Sequence, residues 1–475
     1  MMKKTFFTLL FGLIAYYSFS QNCDCKQYYE WLKKTFEEND AGFVHTVQNK
    51  GKESYSFHNK YISEKVAVAN DLKNCVEVLK QWLSFFRKFH IGLFATPKTV
   101  PSNIIPAEPI AFKGKSAKEI NKLVQAINKK TVGSIEGIWK TGPYTILVTK
   151  EKEHYVGYIL ESTNENWNSG DVKFWVKQEL NIGTYLMGDR SPEQIKKVSF
   201  LDDKYLVLDN VILEKIAPIV SLSPSLELHY KIKFAENPFI VRLNDETVFV
   251  KVPSFGLDQR LIIDSLLAGW KDEILKSKNL IIDVRNNGGG ADKTYNKILP
   301  FIYTNPIHRN QIEFYSSSLN NKKWKDVLKI QGLPENEKTM FTDFVNRLEN
   351  NKGGFEKIFK ENVNVVTIDS ASVNPKKVGL LINENTASAA EQFILDLQQS
   401  WKVKTFGRQT AGALDIANVA TINSPDGQMM LVYSTSRYIT VNKIVIDDIG
   451  ILPDYYIDDE VAENEWISFV LERMK

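Results

Sequence analysis

The chain has 475 residues, of which 43% are hydrophobic and 25% are charged. This composition excludes a mainly disordered chain, a fibrous repeat and a protein with many membrane spans, and the length allows about three domains of roughly 150 residues each. The formal net charge is +3 at pH 7, and removal of residues 1–20, which hold two lysines and no acid, would leave +1. So small a charge gives no electrostatic reason to expect nucleic acid as a partner.

Residues 1–20 carry the pattern of an export signal. Lys3 and Lys4 precede an apolar run at residues 6–17, and small residues then lead to a predicted mature start at Gln21. Twelve residues are too few to cross a bilayer, which needs about 20, and no later apolar run reaches that length. The alternatives are an N-terminal anchor or a buried first helix. The pattern favours an exported protein, periplasmic or extracellular, with no membrane span in the mature chain.

Export would place the three cysteines in an oxidising compartment. Cys23 and Cys25 lie just after the predicted cleavage site, and Cys75 lies in a later helical stretch. One of the first two, Cys25 in our assignment, can bridge to Cys75, which leaves one cysteine over. The six histidines are scattered, with neither an HExxH motif nor paired CxxC motifs, so we predict no metal site and no cofactor.

The first half of the chain contains two regions of different character. Residues 21–110 form a predicted helical region, because apolar residues recur at helical spacing in 25–38 and 68–89, and four prolines interrupt the chain at 97–109. Residues 111–240 form a predicted mainly β domain, a barrel or a sandwich, after one helix that opens with a capping box at 116–119. We find no convincing peptide-binding PDZ signature in this second region.

Residues 241–475 have an α/β pattern. A near-continuous apolar run indicates a buried strand that ends near residue 285, and a second such run ends near residue 383. The predicted helices of this region are 257–277, 291–304 and 389–400. From residue 402 the chain is rich in predicted strands.

The first motif with a chemical meaning is IIDVRNNGGG at residues 281–290. Glycines at the end of a buried strand permit unusual backbone dihedrals and let another group approach the backbone N–H donors. Such donors can form an oxyanion hole, although a flexible turn is the better explanation of the glycines when they are considered alone. Asp283 and Arg285 are predicted to brace this turn.

The second motif is INENTASAAEQF at residues 382–393, where a strand ends and a helix begins at Ser388. A hydroxyl at this place meets the positive end of the helix dipole, and the N–H of Ala389 can point at a developing oxyanion. The alternative is structural, because Ser388 and Glu391 also fit a capping box.

Two further segments follow, RQTAG at 408–412 and GILPD at 450–454, with Asp447 and Asp448 just before the second. In this order the four segments resemble the tail-specific, or C-terminal-processing, serine peptidase family. The resemblance implies a crotonase/ClpP-like catalytic core in an α/β fold, with Ser388 as nucleophile. It also implies an oxyanion hole formed by the N–H groups of Ala389 and of Gly288 or Gly289.

A departure from the family pattern decides the predicted base. Ala413 stands where the Ser–Lys branch carries its lysine. The segment FFRKFHIGL at 85–93 is similar to the histidine motif of the tricorn-like branch, which implies His90 as general base and Asp447 as the acid that orients it. The acid of that branch is glutamate, so Asp447 is shorter by one methylene. Phe89 and Ile91 also differ from the hydroxyl-bearing or small residues of that motif.

The sequence therefore predicts an exported serine peptidase that acts on peptides or unfolded protein segments through an acyl-enzyme. One alternative is a non-catalytic peptide- or ligand-binding protein on the same fold. A second is a hydrolase of esters or other small acyl substrates.

Overall fold

The computed structural model describes residues 23–96, 112–127, 133–359, 363–369, 372–439 and 445–475. The predicted signal peptide and the proline-rich segment 97–109 lie outside these residues. The chain divides into two compact units. Unit 1 holds the described residues up to Lys98 and from Glu236 onward, and unit 2 holds those from Thr99 to Ala235.

The N-terminal part of unit 1 is helical, as its spacing predicts. Its elements are α1 (Cys25–Asn39), α2 (Phe43–Lys50), α3 (Lys52–Val66), α4 (Leu72–Leu83) and β1 (Gly92–Ala95). A disulfide joins Cys25 to Cys75, with Cα atoms 5.5 Å apart, and Cys23 is a free thiol.

These helices do not form a domain of their own. Their apolar faces share one core with Met429, Leu431 and Tyr433 from a strand near the C-terminus, and β1 pairs antiparallel with the same strand. A helix bundle with one apolar face needs a partner for it, and here the partner comes from the predicted catalytic domain. The predicted regions 21–110 and 241–475 therefore belong to one unit, and the chain passes from unit 1 to unit 2 at residues 98–99.

Unit 2 is mainly β, with one helix before its sheet and one after it. Its elements are α5 (Ala117–Ile127), β2 (Gly137–Thr141), β3 (Tyr144–Glu151), β4 (His154–Ser162), β5 (Val172–Lys177), β6 (Gly183–Leu186), β7 (Pro192–Ile195), β8 (Val198–Leu201), β9 (Tyr205–Leu208), β10 (Val211–Ala217) and α6 (Pro224–Lys233). The nine strands form one antiparallel sheet in the order β7-β6-β5-β4-β3-β2-β10-β9-β8. The capping box before α5 is present, because Ser116 and Glu119 exchange backbone-to-side-chain hydrogen bonds.

The second part of unit 1 alternates strands and helices. Its elements are β11 (Phe239–Asn244), β12 (Thr247–Lys251), α7 (Arg260–Gly269), α8 (Lys271–Lys276), β13 (Asn279–Asp283), α9 (Leu299–Ile302), β14 (Ile307–Tyr315), α10 (Ser318–Val327), α11 (Glu335–Asn350), β15 (Phe355–Lys357), β16 (Val363–Val366), β17 (Lys377–Ile382), α12 (Ala389–Leu397), β18 (Val403–Gly407), β19 (Ile416–Asn423), β20 (Met429–Ile439), β21 (Tyr455–Tyr456) and α13 (Trp466–Arg473).

Two sheets organise these elements. One has the order β11-β12-β13-β17-β18-β21 and is parallel from β12 onward. The other is antiparallel and contains β1, β20, β14 and β15 in order, with β19 paired to β20 and β16 to β14. Because β13 and β17 are adjacent and parallel, their carboxyl ends meet, and these ends carry the glycine motif and the Ser388 motif.

The predicted helix at 291–304 is largely absent. The structure has a short 3-10 turn at Asp292–Thr294 and the four-residue α9 instead. Pro300 lies in α9 and has no N–H to continue a helix from earlier residues. Between them, Tyr295 and Ile298 are buried, so their apolar spacing comes from a loop that packs on the core and not from an amphipathic helix.

Across the described parts of the chain, no helix is both long and apolar enough to cross a membrane.

Candidate active site

Ser388 occupies the turn between β17 and α12 in a conformation that is rare for a residue with a side chain. Its φ is 58° and its ψ is −122°. Such strain persists only where the surroundings impose it, and it is common at functional sites. Here the Thr386 hydroxyl donates to the Val284 carbonyl, and the Ala387 N–H donates to the Asn287 carbonyl at 3.0 Å. Both hydrogen bonds hold the turn against the end of β13.

The glycine motif packs directly on this turn. Gly289 has a φ of 98°, and a Cβ placed there would lie 2.8 Å from the Cβ of Ser388 and 2.9 Å from the N of Ala389. Only glycine permits this approach. The N–H of Gly289 donates to Asn287 Oδ1 at 2.9 Å. The N–H groups of Gly288 and Ala389 have no acceptor among the described residues, so Gly288 is the better donor of the two predicted glycines.

Glu391 ties Ser388 to the RQTAG segment. Its buried carboxylate accepts from the N–H of Ser388 at 3.0 Å and from the N–H groups of Gly412 and Ala413 at 2.8 Å each. The Thr410 hydroxyl donates to it at 2.6 Å. Burial raises the pKa of Glu391, and these four donors oppose that effect. The sequence identified Glu391 only as part of a helix cap, so its contact with 410–413 was missed.

His90 lies in the turn after α4 and also has a positive φ, of 56°. Its Nδ1 is 2.7 Å from the carbonyl oxygen of Ile416. Because a carbonyl can only accept, Nδ1 carries the ring proton and Nε2 keeps its lone pair. Burial lowers the pKa of His90. The structure therefore presents a neutral imidazole in one tautomer.

A buried ion pair fixes the turn that carries His90. The Arg87 guanidinium donates to both carboxylate oxygens of Asp40, at 2.9 and 2.6 Å, and neither side chain is more than 5% exposed. Arg87 also donates to the carbonyls of Phe89 and His90, and the Ser434 hydroxyl donates to the latter. No sequence pattern indicates this pair, because Asp40 and Arg87 are 47 positions apart.

Asp447 does not touch the imidazole in the way that the resemblance implies. Its carboxylate accepts from the N–H groups of Leu414 and Asp415, at 2.7 Å each, and of Ile416 at 3.0 Å. The group that bonds Nδ1 is therefore the carbonyl of Ile416, whose own N–H is held by Asp447. This is a correction to the expected direct contact between Asp447 and His90, because the Asp447 carboxylate is bonded to three backbone N–H groups instead.

Asp415 and Asp447 hold each other in place. Asp415 Oδ2 accepts from the N–H groups of Ile446 and Asp447, at 2.7 and 2.9 Å. Burial and the neighbouring Asp415 carboxylate raise the pKa of Asp447 to about 7, although three N–H groups donate to it. The segment 412–416 is thus bonded to Glu391 at one end and to His90 at the other. No hydrogen bond joins the Ser388 hydroxyl to His90, both of which lie in described parts of the chain.

Charged residues under the glycine motif are paired with one another. Asp283 is fully buried between two cations. Its Oδ2 is 2.6 Å from Arg285 Nη2, and its Oδ1 is 3.2 Å from Lys251 Nζ. Lys251 also donates to the Arg285 carbonyl. This arrangement agrees with a bracing role for Asp283 and Arg285. Within the described residues, no three His, Cys, Asp or Glu side chains are grouped so that they could hold a metal ion.

Comparison with known proteins adds a family to this geometry. Residues 246–457 match the model of Peptidase family S41. Comparison with curated proteins gives no significant match. The solved structure of mature CPAF complexed with lactacystin is 13% identical, with a TM-score of 0.52 over 95% of this chain and 98% of that one.

Two other solved structures are similar at lower scores. The photosystem II D1 C-terminal processing protease is 13% identical, with a TM-score of 0.38 over 92% of this chain and 94% of that one. The tricorn protease is 11% identical, with a TM-score of 0.42 over 95% of this chain and 36% of that one. The matched range contains the glycine motif, Ser388 and the RQTAG segment. Residues 246–457 are therefore similar to a Peptidase family S41 domain, in a chain of mixed helix and sheet, and the protein is a serine-type peptidase.

Proposed function

We propose that this protein is an exported serine peptidase of the tricorn-like Ser–His branch, which hydrolyses peptide bonds through an acyl-enzyme on Ser388, on a crotonase/ClpP-like core. The observation that carries the proposal is the hydrogen bond from His90 Nδ1 to the Ile416 carbonyl. It leaves Nε2 as a base, at a site where Ala413 replaces the lysine of the other branch.

In the proposed reaction, His90 Nε2 takes the proton of the Ser388 hydroxyl while Oγ attacks the peptide carbonyl. The N–H groups of Ala389 and Gly288 stabilise the oxyanion. The imidazolium then gives its proton to the leaving amine, and water hydrolyses the acyl-enzyme with His90 again as base. Proton transfer requires the two side chains to approach to about 3 Å, and catalytic hydrogen bonds often tighten only when substrate is bound.

Glu391 holds the backbone segments that this reaction uses. By accepting from Ser388, Gly412 and Ala413 it fixes the serine backbone and the segment that leads to Ile416. The two catalytic side chains are thus positioned by one continuous set of hydrogen bonds.

The test is covalent labelling of the mature protein, from Gln21 onward, with a fluorophosphonate probe and mapping of the adduct by mass spectrometry. We expect an adduct on Ser388 that is absent in Ser388→Ala and strongly reduced in His90→Ala. Matched controls are Ser63→Ala and His308→Ala, which alter exposed residues on α3 and β14. Labelling that survives in Ser388→Ala, or that His90→Ala leaves unchanged, would contradict the mechanism.

Hydrolysis is tested separately with unfolded protein and peptide substrates. Labelling at Ser388 without peptide cleavage, but with cleavage of small esters, would favour an esterase. Export is supported by the signal pattern and by the Cys25–Cys75 disulfide. It predicts an N-terminus at Gln21 in the protein recovered from outside the cytoplasm.

A further inference from the structure

A cavity of about 160 Å³ in unit 1 lies next to the elements that carry Ser388 and the glycine motif. Gln392 lines it and follows Ser388 by one turn of α12, so both lie on the same face of that helix. Asp292 also lines it and comes three residues after Gly289, whose backbone contacts Ser388. Three residues span at most about 10 Å. Two residues that line the cavity are therefore close along the chain to Ser388 and to the glycine that contacts it.

The size of this cavity suits one side chain. A cavity of roughly 150 Å³ holds a benzene-sized molecule. Ile312, Phe314 and Phe359 contribute apolar wall, which can pack against methylene or ring carbons. A peptide backbone with several residues would not fit.

The polar side of the cavity is formed by one carboxylate, one guanidinium, three amides and one tyrosine. Arg309 lines it, but Arg309 Nη2 is 2.5 Å from Asp396 Oδ2. The Asp396 carboxylate also accepts hydrogen bonds from the Tyr295 hydroxyl and from Gln392 Nε2. Arg309 is therefore already compensated by a carboxylate. Gln392 is 2% exposed, and its Oε1 has no donor among the described residues.

Asp292 is the second charged residue that lines the cavity. No hydrogen bond to its carboxylate is present within the described parts of the chain, and burial raises its pKa to about 6, against the lowering effect of Arg309. Two carboxylates and one guanidinium leave this cluster with one net negative charge at neutral pH. A carboxylate partly removed from water is stabilised by a cation with N–H donors.

We infer that this cavity is the subsite for the side chain of the substrate residue that acylates Ser388, and that Asp292 and Gln392 make it select a basic side chain, lysine foremost. The four methylenes of lysine would pack on Ile312, Phe314 and Phe359, and its ammonium would donate to the two unpaired acceptors. The inference rests on the proposed function, because it takes Ser388 as the nucleophile.

The experiment compares peptides that are identical except at the residue before the scissile bond, which is lysine, norleucine or Nε-acetyl-lysine. Norleucine keeps four side-chain carbons without the ammonium, and acetylation removes the charge. Two quantities are measured: kcat/KM with the wild type, and the Kd for the Ser388→Ala variant, which binds without turnover. We expect lysine to be preferred over norleucine by roughly 10-fold to 100-fold in both, the range of a hydrogen bond to a charged group.

Asp292→Asn should reduce this preference to near unity, because the value for the lysine peptide falls. Asp272→Asn, on an exposed position of α8, is the matched control and should keep it, and thermal melts check that both variants fold. The subsite is contradicted if norleucine or acetyl-lysine equals lysine, if Asp292→Asn keeps the preference, or if no peptide binds. A lysine preference in Kd without labelling of Ser388 would support the cavity and contradict the peptidase mechanism. Peptide cleavage without a lysine preference would do the reverse.

Discussion

At the scale of single residues, the most informative one is Ile416, a residue without a reactive side chain. Its N–H donates to Asp447 and its carbonyl accepts from His90 Nδ1. Asp447 therefore orients the imidazole of His90 indirectly, through the backbone of Ile416. A carbonyl fixes the tautomer as a carboxylate would, but it brings no full negative charge to a developing imidazolium.

Asp447→Asn tests this indirect role. The asparagine oxygen can still accept from Leu414 and Asp415, but its NH2 group would face the N–H of Ile416, so two donors would oppose each other. We expect kcat/KM to fall by roughly tenfold or more, since about one hydrogen bond is lost. In ¹⁵N NMR spectra, the single Nδ1–H tautomer of His90 should give way to a mixture.

The control is Asp448→Asn, at an exposed neighbour with a φ of 63°, a conformation that asparagine tolerates. The asparagine oxygen can also keep the hydrogen bond that Asp448 Oδ1 accepts from the N–H of Lys88 at 3.3 Å. It should leave both measurements unchanged. An Asp447→Asn enzyme with reduced activity and an unaltered His90 tautomer would show that Asp447 has only a structural role.

The pH dependence of kcat/KM follows from His90. A general base must be neutral, so activity is lost as the pH falls through the pKa of His90, which burial places below its ordinary value of 6.5. As the pH falls, Asp447 is protonated before His90, because its pKa is about 7. This protonation should add a shallower decline in kcat/KM above the pKa of His90. In Asp447→Asn we expect the shallower decline to be absent and the decline caused by protonation of His90 to remain, with its midpoint below pH 6.5. A midpoint above 6.5 in that variant would contradict the assignment.

At the scale of elements, the N-terminal helices deliver His90 to the second half of unit 1. The core that they share with β20 and the Arg87–Asp40 pair fix the 87–90 turn. The disulfide ties α1 to α4 across a sequence separation of 50. Stability of this helical part is therefore coupled to the geometry of the site.

Cys75→Ser should lower the free energy of unfolding by about 4 kcal/mol, the chain-entropy value for a loop of this length, within an observed range of about 2–5 kcal/mol. Urea unfolding of the oxidised mature protein measures it. Cys23→Ser, at the free thiol, should change the value little. Equal losses in the two variants would contradict a structural role for the disulfide.

Many elements could be predicted because their residue spacing records burial. Alternation at 144–150 matches β3, and the apolar runs before the glycine motif and before Ser388 match β13 and β17. The helix predicted at 291–304 was wrong because apolar spacing alone does not separate a buried loop from a helix. Two helices at 43–66 were missed.

The site was predictable only in part. Ser388, His90 and Asp447 stand in recognisable motifs, and the structure brings the segments that carry them together through 412–416. The Ile416 carbonyl could not be predicted, since every residue has a carbonyl and the type of residue gives no signal. Asp292 and Gln392 were missed because the cavity forms from segments that are distant in sequence.

At the scale of the whole molecule, each unit has its own core. The two apolar clusters of unit 2 contain only residues from 112 to 213. The helical core of unit 1, in contrast, needs residues from both ends of the chain.

A fragment of residues 112–235 should therefore fold by itself and show a cooperative thermal transition by circular dichroism. A fragment of residues 241–475 should not, because Met429, Leu431 and Tyr433, all at most 2% exposed in the chain, would lose the helices that cover them. Cooperative unfolding of the second fragment, or its absence in the first, would contradict this division.

The hydrogen bond between His90 and Ile416 joins residues 326 positions apart, and Asp447 follows Ile416 by 31 positions. While the chain is still emerging from the ribosome, the histidine thus has neither its carbonyl partner nor the acid that holds that partner. The mechanism proposed above implies that nascent chains cannot cut their neighbours or one another. The late synthesis of Ile416 and Asp447 would therefore prevent proteolysis by incomplete chains.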